Sequence, residues 1–269
     1  MEKKKKQYGI LAVIFKLGTK FASILAKILK SAKVVKVGLA AASLVSYSYL
    51  FSWQFAIIIM SMLFIHESGH VWAMKRRGIA TKGFYFIPLL GGAAIAEESF
   101  KTRDNEAYIA LMGPIWGLVL SIGVFGLYYV TSNPLFAAAS SWMALINLVN
   151  LIPINPLDGG RILKSLALSV GVNSEIMRKG VAAMLAIGSI CIIIACAVMG
   201  LWLFVLLGSL GLLEVILEIK KPSTMVPMSS GAVIKYFALS ILVGGLLFSI
   251  MYYTKHLPGS DIAMQFLKE

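Results

Sequence analysis

The chain of 269 residues has only three histidines, and two of them, His66 and His70, stand four apart in Phe64-Ile65-His66-Glu67-Ser68-Gly69-His70. On a helix this spacing sets both imidazoles on one face, one turn apart, where they can grip a single zinc ion. Glu67 lies beside the first of them, placed to accept a proton from water activated at the metal and to pass it later to a leaving amine. A helical histidine is more often simply packed. Here, however, two histidines and a glutamate sit in an apolar stretch, where a charge at the bilayer centre costs on the order of 3 kcal/mol. That cost calls for a partner such as a cation.

Two histidines leave a tetrahedral ion one protein ligand short if the fourth place is kept for water. Asp158 is the foremost candidate, in Asn150-Leu151-Ile152-Pro153-Ile154-Asn155-Pro156-Leu157-Asp158-Gly159-Gly160. Pro153, Pro156, Gly159 and Gly160 are expected to break the helix there, which membrane depth tolerates only where the backbone lines a cavity or packs on protein. Glu97, Glu98, Asp104 and His256 are weaker rivals for the third place.

The elements that must position these residues are read from composition. Apolar residues make up 59% of the chain and charged ones 14%, well above the roughly 45–50% apolar share of soluble domains. Seven apolar segments follow one another at about 37 to 52, 54 to 74, 107 to 130, 134 to 152, 180 to 199, 201 to 219 and 232 to 253. The fold class expected is an all-α polytopic membrane protein of about seven transmembrane helices, six if the short first segment does not span. Residues 81 to 98 hold two short apolar runs around Gly91-Gly92, the pattern of a re-entrant β-hairpin near the site, sheltered by protein because open strand edges are costly in lipid.

Ten lysines fall in the first 36 residues, interleaved with apolar positions at helical spacing. This predicts a basic amphipathic helix on an anionic inner leaflet. With the amino terminus inside, 23 of the 25 lysines and arginines lie on the inner side of alternating spans, so the expected localisation is the cell membrane, multi-pass, with amino terminus and site facing the cytoplasm. The formal charge of +13 is thus accounted for by topology, and nucleic-acid binding is not expected. Three regions are expected: 1–36 as the surface helix, 37–165 as a catalytic core, and 166–269 as further spans and a short tail. Cys191 and Cys196, five apart, read as small apolar fillers. Glu214 and Glu218 read as snorkelling residues paired near Lys220 and Lys221.

Through Ile65-His66-Glu67-Ser68-Gly69-His70 and residues 150–160, the chain resembles the site-2 protease family of intramembrane zinc metalloproteases. A looser likeness is Ala110-Leu111-Met112-Gly113-Pro114-Ile115-Trp116-Gly117, similar to the family's helix between the two metal motifs. The resemblance implies one Zn2+ ion on His66, His70 and Asp158, Glu67 as general base and acid, and Asn150 holding the substrate backbone or polarising its carbonyl. It also implies that the hairpin, around Gly91, Gly92 and Ala93, offers an edge to which an unwound substrate adds as a strand. The expected partner is a transmembrane protein or peptide substrate, and a homo-oligomer or regulatory membrane partner stays open. There is no PDZ-type insert between the spans and no pair of CBS modules after them, so selection by an appended domain is not expected. Competing classes are a metal transporter, which would need ligands at several bilayer levels, and an inactive relative, against which the intact glutamate argues.

Overall fold

The computed structural model describes residues 32–50, 52–89, 91–170, 174–220 and 224–257. Most of the basic region 1–36 and the end of the tail lie outside the described residues. Eight helices are described: α1 (Ala32–Leu50), α2 (Trp53–Arg76), α3 (Arg103–Thr131), α4 (Pro134–Asn150), α5 (Asp158–Ala167), α6 (Glu175–Val198), α7 (Trp202–Lys220) and α8 (Ser230–Thr254). Between α2 and α3 lie β1 (Thr81–Ile87) and β2 (Gly91–Ala96). Helices α2, α3, α6 and α8 are long and apolar enough to cross a membrane, which makes this a membrane protein.

Polar residues mark the helix starts. Ser52, Thr102, Asn133, Ser174 and Ser229 each accept a hydrogen bond from a backbone N–H of the first turn of α2, α3, α4, α6 and α8, satisfying donors that an apolar medium would leave stranded. Pro134 occupies the first position of α4, where its missing N–H costs nothing.

Helix α3 is the hub, packing on α2, α4, α5 and α8. One core cluster joins α3, α4 and α8 through Leu118, Trp142, Leu145 and Leu247. A second joins α1, α2, the hairpin and α4 through Tyr47, Ile59, Leu63, Phe86 and Met143. The hairpin is antiparallel, with Tyr85 opposite Ala93, Phe86 opposite Gly92 and Ile87 opposite Gly91. It rests on α1 and α2, the shelter that its backbone requires. Helices α6 and α7 pack chiefly on each other, and only Ala182 and Ala186 of α6 are buried.

One expectation needs correction. Gly159 and Gly160 do not break a helix: the break spans 151 to 157, and both glycines lie in the first turn of α5. A Cβ on Gly159 would stand 2.1 Å from the carbonyl oxygen of Leu151, and one on Gly160 would stand 2.3 Å from the backbone nitrogen of Asn155. Their missing side chains let α5 fold back against its own entry loop. Glu214 and Glu218, expected to pair near Lys220 and Lys221, reach partners distant in the sequence. Glu218 lies 2.7 Å from Arg103 and Glu214 pairs with Lys164. Lys164 also meets Glu106 at 3.1 Å, and Arg103 meets Glu106 at the same distance. This buried charged cluster ties α7 to α3 and α5, where packing alone does little.

Candidate metal centre

Helix α2 carries His66, Glu67 and His70 on its inward face, and Asp158 opens α5. Their exposures are 2%, 4%, 4% and 6%, respectively. The Nε2 atoms of the two imidazoles are 3.1 Å apart, and Oδ2 of Asp158 lies 3.1 Å from His66 Nε2 and 3.2 Å from His70 Nε2. These three ligand atoms form a nearly equilateral triangle. A tetrahedral zinc with bonds of 2.0–2.1 Å separates its ligands by roughly 3.3 Å, so the triangle fits that ion.

Hydrogen bonding on the far side of each ring decides what the triangle is made of. His66 Nδ1 lies 2.8 Å from Asn147 Oδ1, and His70 Nδ1 lies 2.7 Å from the carbonyl oxygen of Ile109. Both partners accept, so in the neutral rings both Nδ1 atoms carry the proton and both Nε2 atoms present a lone pair. The Asn147 orientation is fixed independently, since its Nδ2 donates to the carbonyl of Met143 at 2.7 Å. Two lone pairs and a carboxylate oxygen therefore face one another within 3.2 Å. Asp158 Oδ2 has no hydrogen-bond partner among the described residues. Such a group of acceptors repels itself unless a cation lies between, and the donor set of two nitrogens and one oxygen suits zinc.

The fold admits the rings by removing side chains opposite them. On α3, a Cβ at Gly113 would meet His70 Nε2 at 2.3 Å and His66 Nε2 at 2.8 Å, while one at Gly117 would meet Asn147 Oδ1 at 2.0 Å. Small residues allow close helix approach in membranes generally. Here they leave room for the imidazoles and for the amide that orients one of them. Pro114, inside α3, cannot donate to Ala110 and so loosens the turn beside the Ile109 carbonyl.

Glu67 faces the same cleft, of about 250 Å³, together with Gly92, Ala93, Asn150 and Arg161. A Cβ at Gly92 would stand 2.5 Å from the Glu67 side chain, so β2 lies flat against the carboxylate. Glu67 Oε2 has no hydrogen-bond partner among the described residues. Asn150 donates from Nδ2 to the Ile146 carbonyl at 3.1 Å, leaving its Oδ1 and a second N–H toward the cleft. Gly91 is in β2 with φ of 102° and borders the deeper part of the cavity.

The rival ligands lie elsewhere. Glu97 and Glu98 are exposed, Asp104 pairs with Arg77 at 2.9 Å, and His256 is exposed beyond the end of α8. His66, His70 and Asp158 form the one His, Cys, Asp and Glu cluster able to hold a metal among the described residues. Sequence reading missed Asn147, Ile109, Gly113 and Gly117 as parts of the site. For Asn147 the available signal was an uncapped amide inside an apolar helix, one turn before Asn150.

Fold and site together define a helical membrane protein with a buried cluster of two histidines and an aspartate able to hold a metal, beside a glutamate. Residues 54–141 match the model of peptidase family M50. A Synechocystis protein provisionally named a zinc metalloprotease is 29% identical over 169 residues, covering 60% of this chain and 40% of its own length. A zinc metalloprotease of Methanocaldococcus jannaschii is 28% identical over 138 residues, covering 49% of this chain and 39% of its own. The chain thus spans about two fifths of the length of these relatives.

Proposed function

We propose that this chain is a zinc endopeptidase that hydrolyses peptide bonds of membrane-embedded proteins or peptides, within the bilayer. The observation that carries the reading is the meeting of three electron-pair donors and an unpartnered carboxylate oxygen in one buried cleft. Zinc, when bound, supplies a Lewis acid and makes water nucleophilic near neutral pH. His66, His70 and Asp158 would hold it, with Asn147 and the Ile109 carbonyl fixing the rings. Glu67, whose Oε2 is uncommitted, takes the proton of the attacking water and hands it to the departing amide nitrogen. Asn150, at the lip of the cleft, uses its remaining N–H to hold the carbonyl of the scissile bond.

A helical substrate hides its carbonyls, so it must unwind to be cut. Strand β2 has one edge paired with β1 and the other without a strand partner among the described residues. Its Gly92, Ala93 and Ala94 line the cleft. An extended substrate segment adding beside Gly91, Gly92 and Ala93 would present its backbone to Glu67. Helices α1, α4 and α7 complete the four long spans to seven, and the distribution of lysines and arginines supports a cytoplasmic amino terminus and site. Region 37–165 would then be the catalytic core, and region 166–269 would flank it.

The test is cleavage of a transmembrane peptide by the purified full chain in liposomes, beside Glu67→Gln. Cleavage should vanish in the variant while zinc content stays unchanged. Cleavage that survives Glu67→Gln would overturn the proposal.

A further inference from the structure

The cleft around the metal ligands does not end at Glu67. A second cavity of about 240 Å³ adjoins it, sharing Glu67, Gly92, Asn150, Leu157 and Leu207 as lining. It reaches away from the polar end of the site. Ile59 and Leu63 precede Glu67 by two turns and one turn of α2, and Trp142, Leu145, Ile146 and Val149 precede Asn150 on α4. Apart from Glu67 and Asn150 at its mouth, its polar lining is confined to the Tyr47 hydroxyl, which engages the backbone of Gly91, and the Trp142 ring nitrogen.

We infer that this chamber is the specificity pocket of the enzyme, seating one large apolar side chain of a residue that flanks the scissile bond. The inference rests on the proteolytic reading above. Volume sets the size of the guest, since a cavity of about 150 Å³ lined by aliphatic side chains already accepts a benzene ring. A chamber of 240 Å³ has room for a Phe, Met or Leu side chain, and an Ala would leave most of it empty. Because lipid is as apolar as the chamber, the selection does not come from leaving water. It comes from filling a rigid space that is otherwise without contacts, and from the cost of bringing a polar group into it. Continuity at Glu67 and Gly92, which line both cavities, fixes the position: a strand lying along β2 with its carbonyl at the metal side directs an adjacent side chain into the chamber. Ile146 and Val149, one turn apart on α4 and both half-buried, form the adjustable wall.

The experiment uses the purified full chain with zinc in liposomes and a transmembrane host peptide whose cut is mapped by mass. The residues on either side of the cut are then replaced in turn by Ala, Leu, Phe, Trp and Asp. For one of the two positions Leu and Phe should be cut about tenfold faster than Ala, with Asp slowest. Val149→Phe, which fills the chamber, should abolish that advantage, with zinc content and Tm close to those of the native chain showing that the variant is folded. Ile146→Ala, which deepens it, should raise the Trp peptide above the Phe peptide. Equal rates across the series, or a ranking that neither variant moves, would overturn the inference with the proteolytic reading intact. If the native chain cuts no peptide in a Glu67-dependent way, the proteolytic reading fails, and this inference with it.

Discussion

Asn147 Oδ1 lies 2.8 Å from His66 Nδ1, although the two residues belong to different helices and stand 81 positions apart. Through this bond α4 dictates which nitrogen of His66 presents its lone pair to the metal.

Replacing Asn147 by Leu should therefore weaken zinc binding without touching a ligand. Outer partners of ligating histidines are typically worth about 10- to 100-fold in metal affinity. Competition with a fluorescent chelator should show a loss in that range, and Asn147→Gln should not restore it, because its longer side chain would collide with Gly117. An affinity equal to that of the native chain would show that the amide does not orient the ring.

The glycines of α3 give a second test. In Gly113→Ala the new methyl carbon would stand 2.3 Å from His70 Nε2, so zinc content after purification should fall at least about tenfold by displacement of the ligand rings. Gly123→Ala on the same helix, with nothing within 4 Å, should keep its zinc.

Metal removal should reveal the self-repulsion of the three acceptors. A ligand present at 1,000 times its Kd contributes about 4 kcal/mol to stability, so a strong chelator should lower the Tm of the native chain in detergent. Asp158→Ala should bind little zinc, and its Tm should not respond to the chelator. A chelator-sensitive Asp158→Ala chain would remove Asp158 from the ligand set.

The buried charges behind α5 predict a stability effect. Lys164 is 3% exposed and meets Glu106 at 3.1 Å, and breaking a buried pair by removing one partner costs about 3–5 kcal/mol. Lys164→Met should therefore destabilise the chain strongly in denaturant titrations. The double variant Lys164→Met with Glu106→Gln should recover part of the loss, since the buried carboxylate, then one cation short and left to Arg103, no longer carries a charge. A double variant no better than the single would show that the pair contributes through packing alone.

What is legible in the sequence follows the range of the interaction. His66, Glu67 and His70 fall within one turn of one helix, so their spacing sufficed to place them on a face. The hairpin was legible from its two short apolar runs, although Gly91-Gly92, read as the point about which they fold, lies inside β2 opposite Ile87 and Phe86. Helix α5 was not, since Pro153, Pro156 and the Gly159-Gly160 pair all read as breakers, and only packing against residues 151–155 turns those glycines into helix formers. Glu214 and Glu218 were matched to their neighbours in sequence because local pairing is all that a one-dimensional reading can weigh. Their partners Lys164 and Arg103 lie 50 and 115 positions away. Asn147 escaped for the same reason: its role exists only once α2, α3 and α4 are side by side.

Three acceptors set face to face make ion supply a step in the biogenesis of this protein. The seam between α2 and the start of α5 can close firmly only over a cation, so chains synthesised during zinc starvation would carry their weakest joint at their centre.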